Sequence, residues 1–306
     1  MLVLAVLFSA GCRIPSNATR MSGRAADEWT RSYTLAEGGE VSINARNGTV
    51  DVEAADGTTV NVRAERIAHA VNDAAAAEIL PRITIKEDVG PETVALRTEP
   101  LGGIVIGVTV EVNYHVRAPR SALVRLRSVN GSINVRGLGG RVILNGSNGG
   151  VTGEDLGGGV EARWANGPVK IALGSFKADL VDIRVTNGSL RLTLPDTANA
   201  NLNASATNGT IDVSALELER LGDQTARRVR GRLNAGGTPI ELVVVNGNIV
   251  VDSGTSNVEP RTQNPELGGP NQAILAPNLE PRGQNAEPRT KNAEPRTKNA
   301  EPIKRP

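Results

Sequence analysis

Apolar and polar residues alternate on both sides of an Asn-Gly pair that recurs through most of the chain. Around Asn187, apolar residues fall six, four and two positions before the Asn and three and five positions after it. The residues between them are largely polar, as Asp182 and Arg184 illustrate. An alternation with a period of two is the signature of a β-strand that has one buried face. Each unit is therefore predicted to be a strand, an Asn-Gly corner and a second strand.

Seven units share this register, and they are centred on Asn47, Asn130, Asn148, Asn166, Asn187, Asn208 and Asn246. From Asn130 to Asn208 the steps are 18, 18, 21 and 21 residues, and Asn246 follows 38 residues later. Only Ser128, Gly146 and Gly153 interrupt the apolar positions of these units. A repeat of this length is typical of structural units that stack on one another.

Two architectures fit this unit. Asn-Gly is the strongest signal for a two-residue β-hairpin turn, which would give a sandwich of hairpins. The short connectors at 136–141 and 154–159, together with an aromatic content of 2%, favour an all-β fold of the single-stranded β-solenoid (β-helix) type with 18–21-residue coils. Successive Asn residues would then stack, because Asn tolerates left-handed backbone angles and its amide can form hydrogen-bonded ladders.

The N-terminal third of the folded region is more mixed. Strand patterns occur at 40–45, 48–54 and 58–66, and they resume after residue 81. Between them, residues 71–83 predict one short helix that Asn72 or Asp73 caps and Pro81 ends. We expect this helix to pack over one end or side of the coil. The predicted folded domain spans residues 30–253, preceded by a linker at 13–29.

The chain opens with a short apolar run, Leu2 to Ala10, that ends in Ser9-Ala10-Gly11-Cys12. A run of this length is typical of a signal peptide rather than of a membrane span. The ending resembles a bacterial lipobox, which implies that residues 1–12 hold the signal and that Cys12 is lipidated. The expected location is therefore the bacterial envelope, with the membrane bound through an N-terminal lipid.

Residues 254–306 have a different composition from the rest of the chain. Within them, residues 279–302 repeat a seven-residue unit that contains Pro, Glu, Arg and Asn and almost no apolar residue. Pro breaks helices and no apolar seam is present, so the period does not indicate a coiled coil. This segment is predicted to be a disordered tail.

The stretch at 114–140, with Pro119 before the first regular unit and further Asn-Gly units after it, resembles the DUF4097 family of bacterial adhesin-like β-solenoids. The resemblance covers about residues 30–252, and the alanine-rich helix belongs to it. It implies the solenoid fold and a role in cell-surface attachment, and it brings no catalytic residues.

Little in the sequence points to catalysis. The only histidines, His69 and His115, lie in no recognisable triad or metal pattern, and a single cysteine excludes a thiolate cluster. No cofactor or metal site is predicted. We expect the outward carboxylates to lie at different offsets in their units and to form no cluster; they are Asp51, Glu161, Asp182 and Asp212.

The densest basic run lies between Asn208 and Asn246 and comprises Arg227, Arg228, Arg230 and Arg232. It is a candidate contact for an anionic polymer, with a solvated loop or polar strand as the alternative. A net charge of +1 and the absence of interleaved aromatic residues argue against nucleic acid. We predict a non-enzymatic envelope or surface module for adhesion, with an envelope protein or a glycan as partner. The alternatives are an envelope-stress accessory or self-assembling structural protein and, third, an enzyme acting on polysaccharide.

Overall fold

The computed structural model describes residues 21–103 and 106–254 of the 306-residue chain. The predicted signal peptide, Cys12 and the C-terminal repeat lie outside the described residues. The described part is all-β, with one α-helix (α1, Asp73–Ile79) followed by a 3-10 turn at Leu80–Arg82. Its strands are β1 Gly23–Thr34, β2 Glu40–Asn47, β3 Val50–Ala55, β4 Thr59–Ala70, β5 Ile85–Gly90, β6 Thr93–Thr98, β7 Thr109–Pro119, β8 Leu123–Asn130, β9 Ile133–Arg136, β10 Val142–Asn148, β11 Val151–Leu156, β12 Val160–Asn166, β13 Val169–Leu173, β14 Val181–Asn187, β15 Leu190–Leu194, β16 Ala200–Asn208, β17 Ile211–Asp212, β18 Leu218–Arg220, β19 Arg228–Leu233, β20 Thr238–Asn246 and β21 Ile249–Ser253.

These strands form two large mixed sheets. The first sheet has ten strands in the order β1-β4-β7-β3-β9-β11-β13-β15-β21-β17. The second sheet has eleven strands in the order β18-β19-β16-β20-β14-β12-β10-β8-β2-β6-β5. Pairing is parallel in the middle of each sheet and antiparallel where β1, β4, β5, β18 and β19 join. The parallel middle is built by the repeated units, and the antiparallel strands are added at the ends.

The Asn-Gly pair at the centre of each of the seven units carries the chain from the second sheet to the first. In all seven units the strand before the pair belongs to the second sheet and the strand after it belongs to the first. The two strands of a unit therefore do not pair with each other, as a hairpin would require. The hairpin interpretation is therefore wrong, because each of these pairs lies where the chain passes from one sheet to the other.

The predicted buried register is also confirmed. All of the inward positions of the seven units are buried except Gly146 and Ile211, which are half-buried. Trp164, the next residue across the sheet from Gly146, fills the space that a side chain there would occupy: a Cβ on Gly146 would lie 2.2 Å from the Trp164 ring. The unit around Asn148 has a weak pattern because a neighbouring unit completes its core.

The order of the units differs from the expectation. The sequence suggested that the unit of Asn208 stacks directly on that of Asn187. Instead, β20 pairs with β14 on one side and with β16 on the other, so the last unit is inserted between these two. Along the chain, the unit of Asn187 is followed by the unit of Asn208 and then by the β18–β19 hairpin. The last unit, that of Asn246, lies in space between the units of Asn187 and Asn208.

The folded domain begins earlier in the chain than residue 30, where the sequence predicted its start. Strand β1 starts at Gly23, so the proposed linker at 13–29 includes the first part of an edge strand. Its side chains are mostly exposed or half-buried, which left no clear alternation in the sequence. Helix α1 contacts β1 and β4, and Asn72 is its N-cap, accepting a 2.8 Å bond from the Ala75 backbone. The expectation that the helix packs at one end of the stack is therefore met.

Candidate functional site

The seven corner asparagines lie directly side by side in the second sheet and form one hydrogen-bonded ladder. Each Nδ2 donates to the Oδ1 of the neighbouring Asn at 2.7–2.9 Å, in the order Asn208, Asn246, Asn187, Asn166, Asn148, Asn130 and Asn47. At the end of the ladder, Asn47 Nδ2 donates to the Val110 carbonyl at 3.0 Å. The ladder joins units into one stack and occupies the amides with one another, so the corners are structural rather than a ligand site.

The glycine after each Asn, and not the Asn, takes the left-handed backbone angle. The seven glycines have φ between +112° and +158°, whereas among the described residues the positive-φ non-glycines are Asp155 and Asn234. The expectation that Asn itself adopts left-handed angles is wrong. A Cβ on Gly167 would lie 1.7 Å from the Gly149 carbonyl oxygen, so the close stacking of units also requires glycine here.

The predicted basic run forms an exposed strand at the C-terminal end of the second sheet. In β19 the burial alternates, so that Arg228, Arg230 and Arg232 share the outward face while Val229 and Leu233 point inward. Arg227 precedes the strand and is therefore not part of this face. The structure therefore brings together three of the four predicted arginines.

Polar side chains of β16 lie beside these arginines. Arg228, Arg230 and Arg232 are the register partners of Ser205, Asn203 and Asn201. Arg230 Nε donates to Asn203 Oδ1 at 3.3 Å, and Arg232 forms a 2.5 Å ion pair with Glu219 of β18. No carboxylate of the described residues comes within 4.0 Å of the Arg228 guanidinium.

Three carboxylates also meet on the outer face of the second sheet, contrary to the sequence expectation. Glu161 and Asp182 occupy the same offset in their units and are register partners, and Glu241 of the inserted strand follows Asp182. Arg163 lies within 3.8 Å of Glu161 and within 3.4 Å of Asp182, so these charges are compensated. All three lie five residues before the corner Asn of their unit, so the shared offset was readable from the sequence, and the expectation of different offsets was wrong. Only the adjacency of Glu241 to Asp182 depends on the inserted strand β20.

The remaining predicted carboxylates stay apart. Asp51 lies in β3 and Asp212 in β17, with β9, β11, β13, β15 and β21 between them in the first sheet. Hydrogen bonds from the Ser214 hydroxyl and backbone hold the pKa of the exposed Asp212 carboxyl below its usual range.

The two histidines, which the sequence placed in no catalytic pattern, lie in different surroundings. His115 Nδ1 lies 3.1 Å from Asp51 Oδ2, and Asn134 donates to the other oxygen of Asp51 at 2.6 Å. The residue opposite His115 on its other side is Arg63, so no hydroxyl nucleophile follows in the register. His69 is the register partner of Arg24 near the start of β1. Within the described residues, no group of three or more His, Cys, Asp or Glu could hold a metal ion.

A groove of about 430 Å³ runs along the connectors that return the chain from the first sheet to the second. Its polar lining includes Arg120, Asp155, Ser175 and Lys177. The Arg120 guanidinium donates a 2.8 Å hydrogen bond to the Gly137 carbonyl oxygen. Arg120 lies in the connector after β7, Asp155 near the end of β11, and Ser175 and Lys177 in the connector after β13. These groups resemble no nucleophile–base pair, so the groove offers polar contacts rather than a reaction centre.

No helix within residues 21–103 and 106–254 has the length and apolar character needed to cross a bilayer. This finding leaves the proposed lipid on Cys12 untouched, because that residue lies outside the described part of the chain.

The sequence matches no protein-family model and no curated protein. Among solved structures, a candidate cell adhesion protein from Clostridium sporogenes ATCC 15579 is 10% identical, with a TM-score of 0.42 over 75% of this chain and 100% of its own. A candidate adhesin from Bacteroides fragilis NCTC 9343 is 9% identical, with a TM-score of 0.29 over 74% and 97% of the two chains. A candidate lipid binding protein from Parabacteroides distasonis ATCC 8503 is 9% identical, with a TM-score of 0.24 over 74% and 97%. At TM-scores this low, the likenesses carry no functional argument for this chain.

Proposed function

We propose that this chain is a non-enzymatic interaction module of the bacterial cell envelope, built as a β-solenoid and used for adhesion. The observation that carries the proposal is the outer face of the second sheet. On it, parallel strands present polar and charged side chains in matching register, while the alternate side chains pack inside. A repeated, pre-organised surface of this kind suits a long or repetitive partner, since binding then costs little ordering of the protein.

The seven Asn-Gly units, helix α1 and Pro119 at the end of β7 support an assignment to the DUF4097 family. We further propose that Cys12 carries a lipid that anchors the module to a membrane. Membrane fractionation tests this anchor. The wild-type chain should sediment with membranes and Cys12→Ser should be released, whereas equal sedimentation of both would refute lipidation at Cys12.

Binding of the full chain to intact bacterial cells and to a glycan array tests the interaction role. Because Cys12→Ser removes the proposed anchor without touching a described residue, this variant serves as the soluble probe. Saturable binding to cells or to a glycan class supports the proposal. A folded probe that binds neither surface at any concentration refutes adhesion.

A second candidate function is self-assembly into an envelope structure, and the edges of the first sheet favour it. Strand β1 has twelve residues and pairs only with β4 among the described strands, which leaves one edge of its backbone open. Charged residues along β1, namely Arg24, Asp27, Glu28 and Arg31, disfavour pairing through this open edge, and self-assembly therefore ranks second to adhesion. Sedimentation velocity distinguishes the two functions: concentration-dependent oligomers without cell binding would favour assembly.

A further inference from the structure

One outward register position of the second sheet collects basic residues from strands that are far apart in the chain. Across ten consecutive strands it carries six basic residues and no carboxylate; we call it the basic row, and it consists of Lys86, Arg97, Asn44, Arg127, Asn145, Arg163, Arg184, Val243, Ser205 and Arg228. All ten side chains are exposed or half-buried. Neighbouring strands lie about 4.8 Å apart, so the row follows a path of roughly 43 Å across the strands.

Three of these cations are already compensated within the protein. Arg97 pairs with Glu99 at 2.7 Å, and Arg163 and Arg184 share Asp182 at 3.4 and 2.9 Å. For Lys86, Arg127 and Arg228, no carboxylate of the described residues lies within 4.0 Å of the side-chain nitrogens. Uncompensated positive charge therefore recurs at the beginning, in the middle and at the end of the row.

The uncharged members of the row are mostly polar. Asn44, Asn145 and Ser205 are half-buried, and each lies on a strand that is paired on both sides. Amides and hydroxyls both donate and accept hydrogen bonds, as a partner rich in hydroxyl groups requires. The row contains no aromatic residue on which a base could stack, which disfavours single-stranded nucleic acid.

Carboxylates beside the basic row would repel a bound anion along only part of the row. Glu161 and Asp182 are held by arginines, and Asn203 donates to Glu241 at 2.7 Å. The corresponding positions beside Asn44 and Arg127 are Ser42 and Arg125, and Arg125 is itself paired with Glu40. Beside Lys86 the same face carries the exposed Asp88, the register partner of Ala95, so the strands of Arg127 and Asn145 present the least negative charge.

We propose that the basic row binds a linear acidic glycan, laid across the strands of the second sheet, with Lys86, Arg127 and Arg228 contacting its anionic groups. The polar side chains between them contact its hydroxyls. This inference rests on the proposed interaction function and names its ligand class.

The test measures binding of the full chain, as Cys12→Ser, to polygalacturonate, heparin, neutral dextran and duplex DNA. Polygalacturonate separates carboxylate recognition from the sulfate recognition that heparin reports. We expect binding to one or both acidic glycans, weakening as salt screens the charges, and no binding to dextran. The triple change Lys86→Gln, Arg127→Gln and Arg228→Gln should weaken glycan binding by about tenfold or more.

The matched control removes three cations elsewhere through Arg117→Gln, Lys170→Gln and Lys177→Gln, and no carboxylate within residues 21–103 and 106–254 lies within 4.0 Å of their side-chain nitrogens. These exposed residues belong to β7, β13 and the connector after β13, so the net charge changes equally while the basic row stays intact. The control should change affinity by less than about twofold if the row is the binding surface. Equal losses in both triples would overturn the inference, because the attraction would then be a property of net charge. Unchanged unfolding midpoints of the two triples confirm that folding is not the cause.

The remaining outcomes separate this inference from the proposed function. DNA binding as tight as glycan binding would overturn the choice of an acidic glycan. Binding to cells or to a neutral glycan, without any binding to the acidic glycans, would overturn the basic row and leave the interaction function intact. A folded chain that binds no cell and no glycan would refute both.

Discussion

The side-chain amide of Asn246 donates a 2.7 Å hydrogen bond to Oδ1 of Asn187, although 59 residues separate the two along the chain. Asn208, which is nearer in sequence to Asn187, donates instead to Asn246 at 2.8 Å. The two bonds show that the last unit completes the stack from within. The inserted strand β20 has a neighbour on each side, and the β18–β19 hairpin lies at the edge.

The ladder predicts a dependence of stability on position. Asn166→Ala removes the donor to Asn148 and the acceptor for Asn187, and should lower the free energy of unfolding by about 1–3 kcal/mol. Asn208→Ala removes one ladder bond at the end and should cost about 0.5–1.5 kcal/mol. Urea unfolding of the full chain measures both, and equal losses would contradict a continuous ladder.

The corner glycines predict a much larger effect. Gly167→Ala should abolish folding or cost at least about 4 kcal/mol, since its Cβ would lie 1.7 Å from the Gly149 oxygen at a φ of +130°. Gly57→Ala is the matched control, with a φ of +88° and no atom within 4 Å of the new Cβ. It should lose only about 1–2 kcal/mol from backbone strain. Similar stabilities of the two variants, measured by urea unfolding, would show that close stacking is unimportant.

The register predicts opposite outcomes for two adjacent residues. Val185 is 2% exposed, so Val185→Asp places an unpaired charge in the core and should unfold the protein or cost about 4 kcal/mol or more. Arg184 has a half-exposed side chain that pairs with Asp182, so Arg184→Ser should cost no more than about 1 kcal/mol. Circular dichroism of the purified variants checks this difference, and comparable damage from both would contradict the assigned inward face.

Alkaline pH should destabilise the folded state through Tyr114. Burial raises the pKa of Tyr114 to about 12, and its hydroxyl lies 2.7 Å from the Thr98 hydroxyl, a bond that opposes the rise. The unfolded chain ionises near its ordinary value of 10.0, so above that pH it releases a proton that the folded chain retains. The contribution of Tyr114 to the free energy of unfolding is therefore fully present below pH 10 and is lost as the pH rises towards about 12.

Urea unfolding at neutral pH and at about pH 11 measures the effect, because the two pH values lie on either side of the unfolded-state pKa. Tyr114→Phe should flatten the decline, although it also loses the bond to Thr98 and should be less stable at neutral pH by about 1 kcal/mol. Tyr33 has a raised pKa as well, because burial and its bond to Glu87 disfavour the phenolate, so some decline should remain. A variant as sensitive to alkali as the parent would exclude Tyr114 as a cause.

Local patterns predicted the units well because the signals that define them are local. Alternation placed Val181, Ile183 and Val185 on the buried face, and glycine after Asn placed the corner. Alternation failed for β1, whose edge position leaves even its alternate side chains partly exposed. It was also weak around Gly146, because the ring that fills that space belongs to Trp164 of the next unit.

The candidate binding surface depended on pairing between distant strands. The Arg228–Arg230–Arg232 face was visible as a basic run, whereas the basic row joins Lys86 to Arg228 through ten strands that are not consecutive in the chain. Glu241 likewise reaches Asp182 only because β20 is inserted beside β14.

By itself, the sequence determined the strand period, the inward positions and the Asn-Gly corners, since backbone sterics and the alternation of side chains act over a few residues. Only the tertiary structure decided which unit lies beside which, and therefore which charges share a face. The physical reason is that every unit offers a neighbouring unit nearly the same inward apolar side chains and the same corner Asn. Their pattern specifies how a unit stacks, and the path of the connecting chain selects its partner.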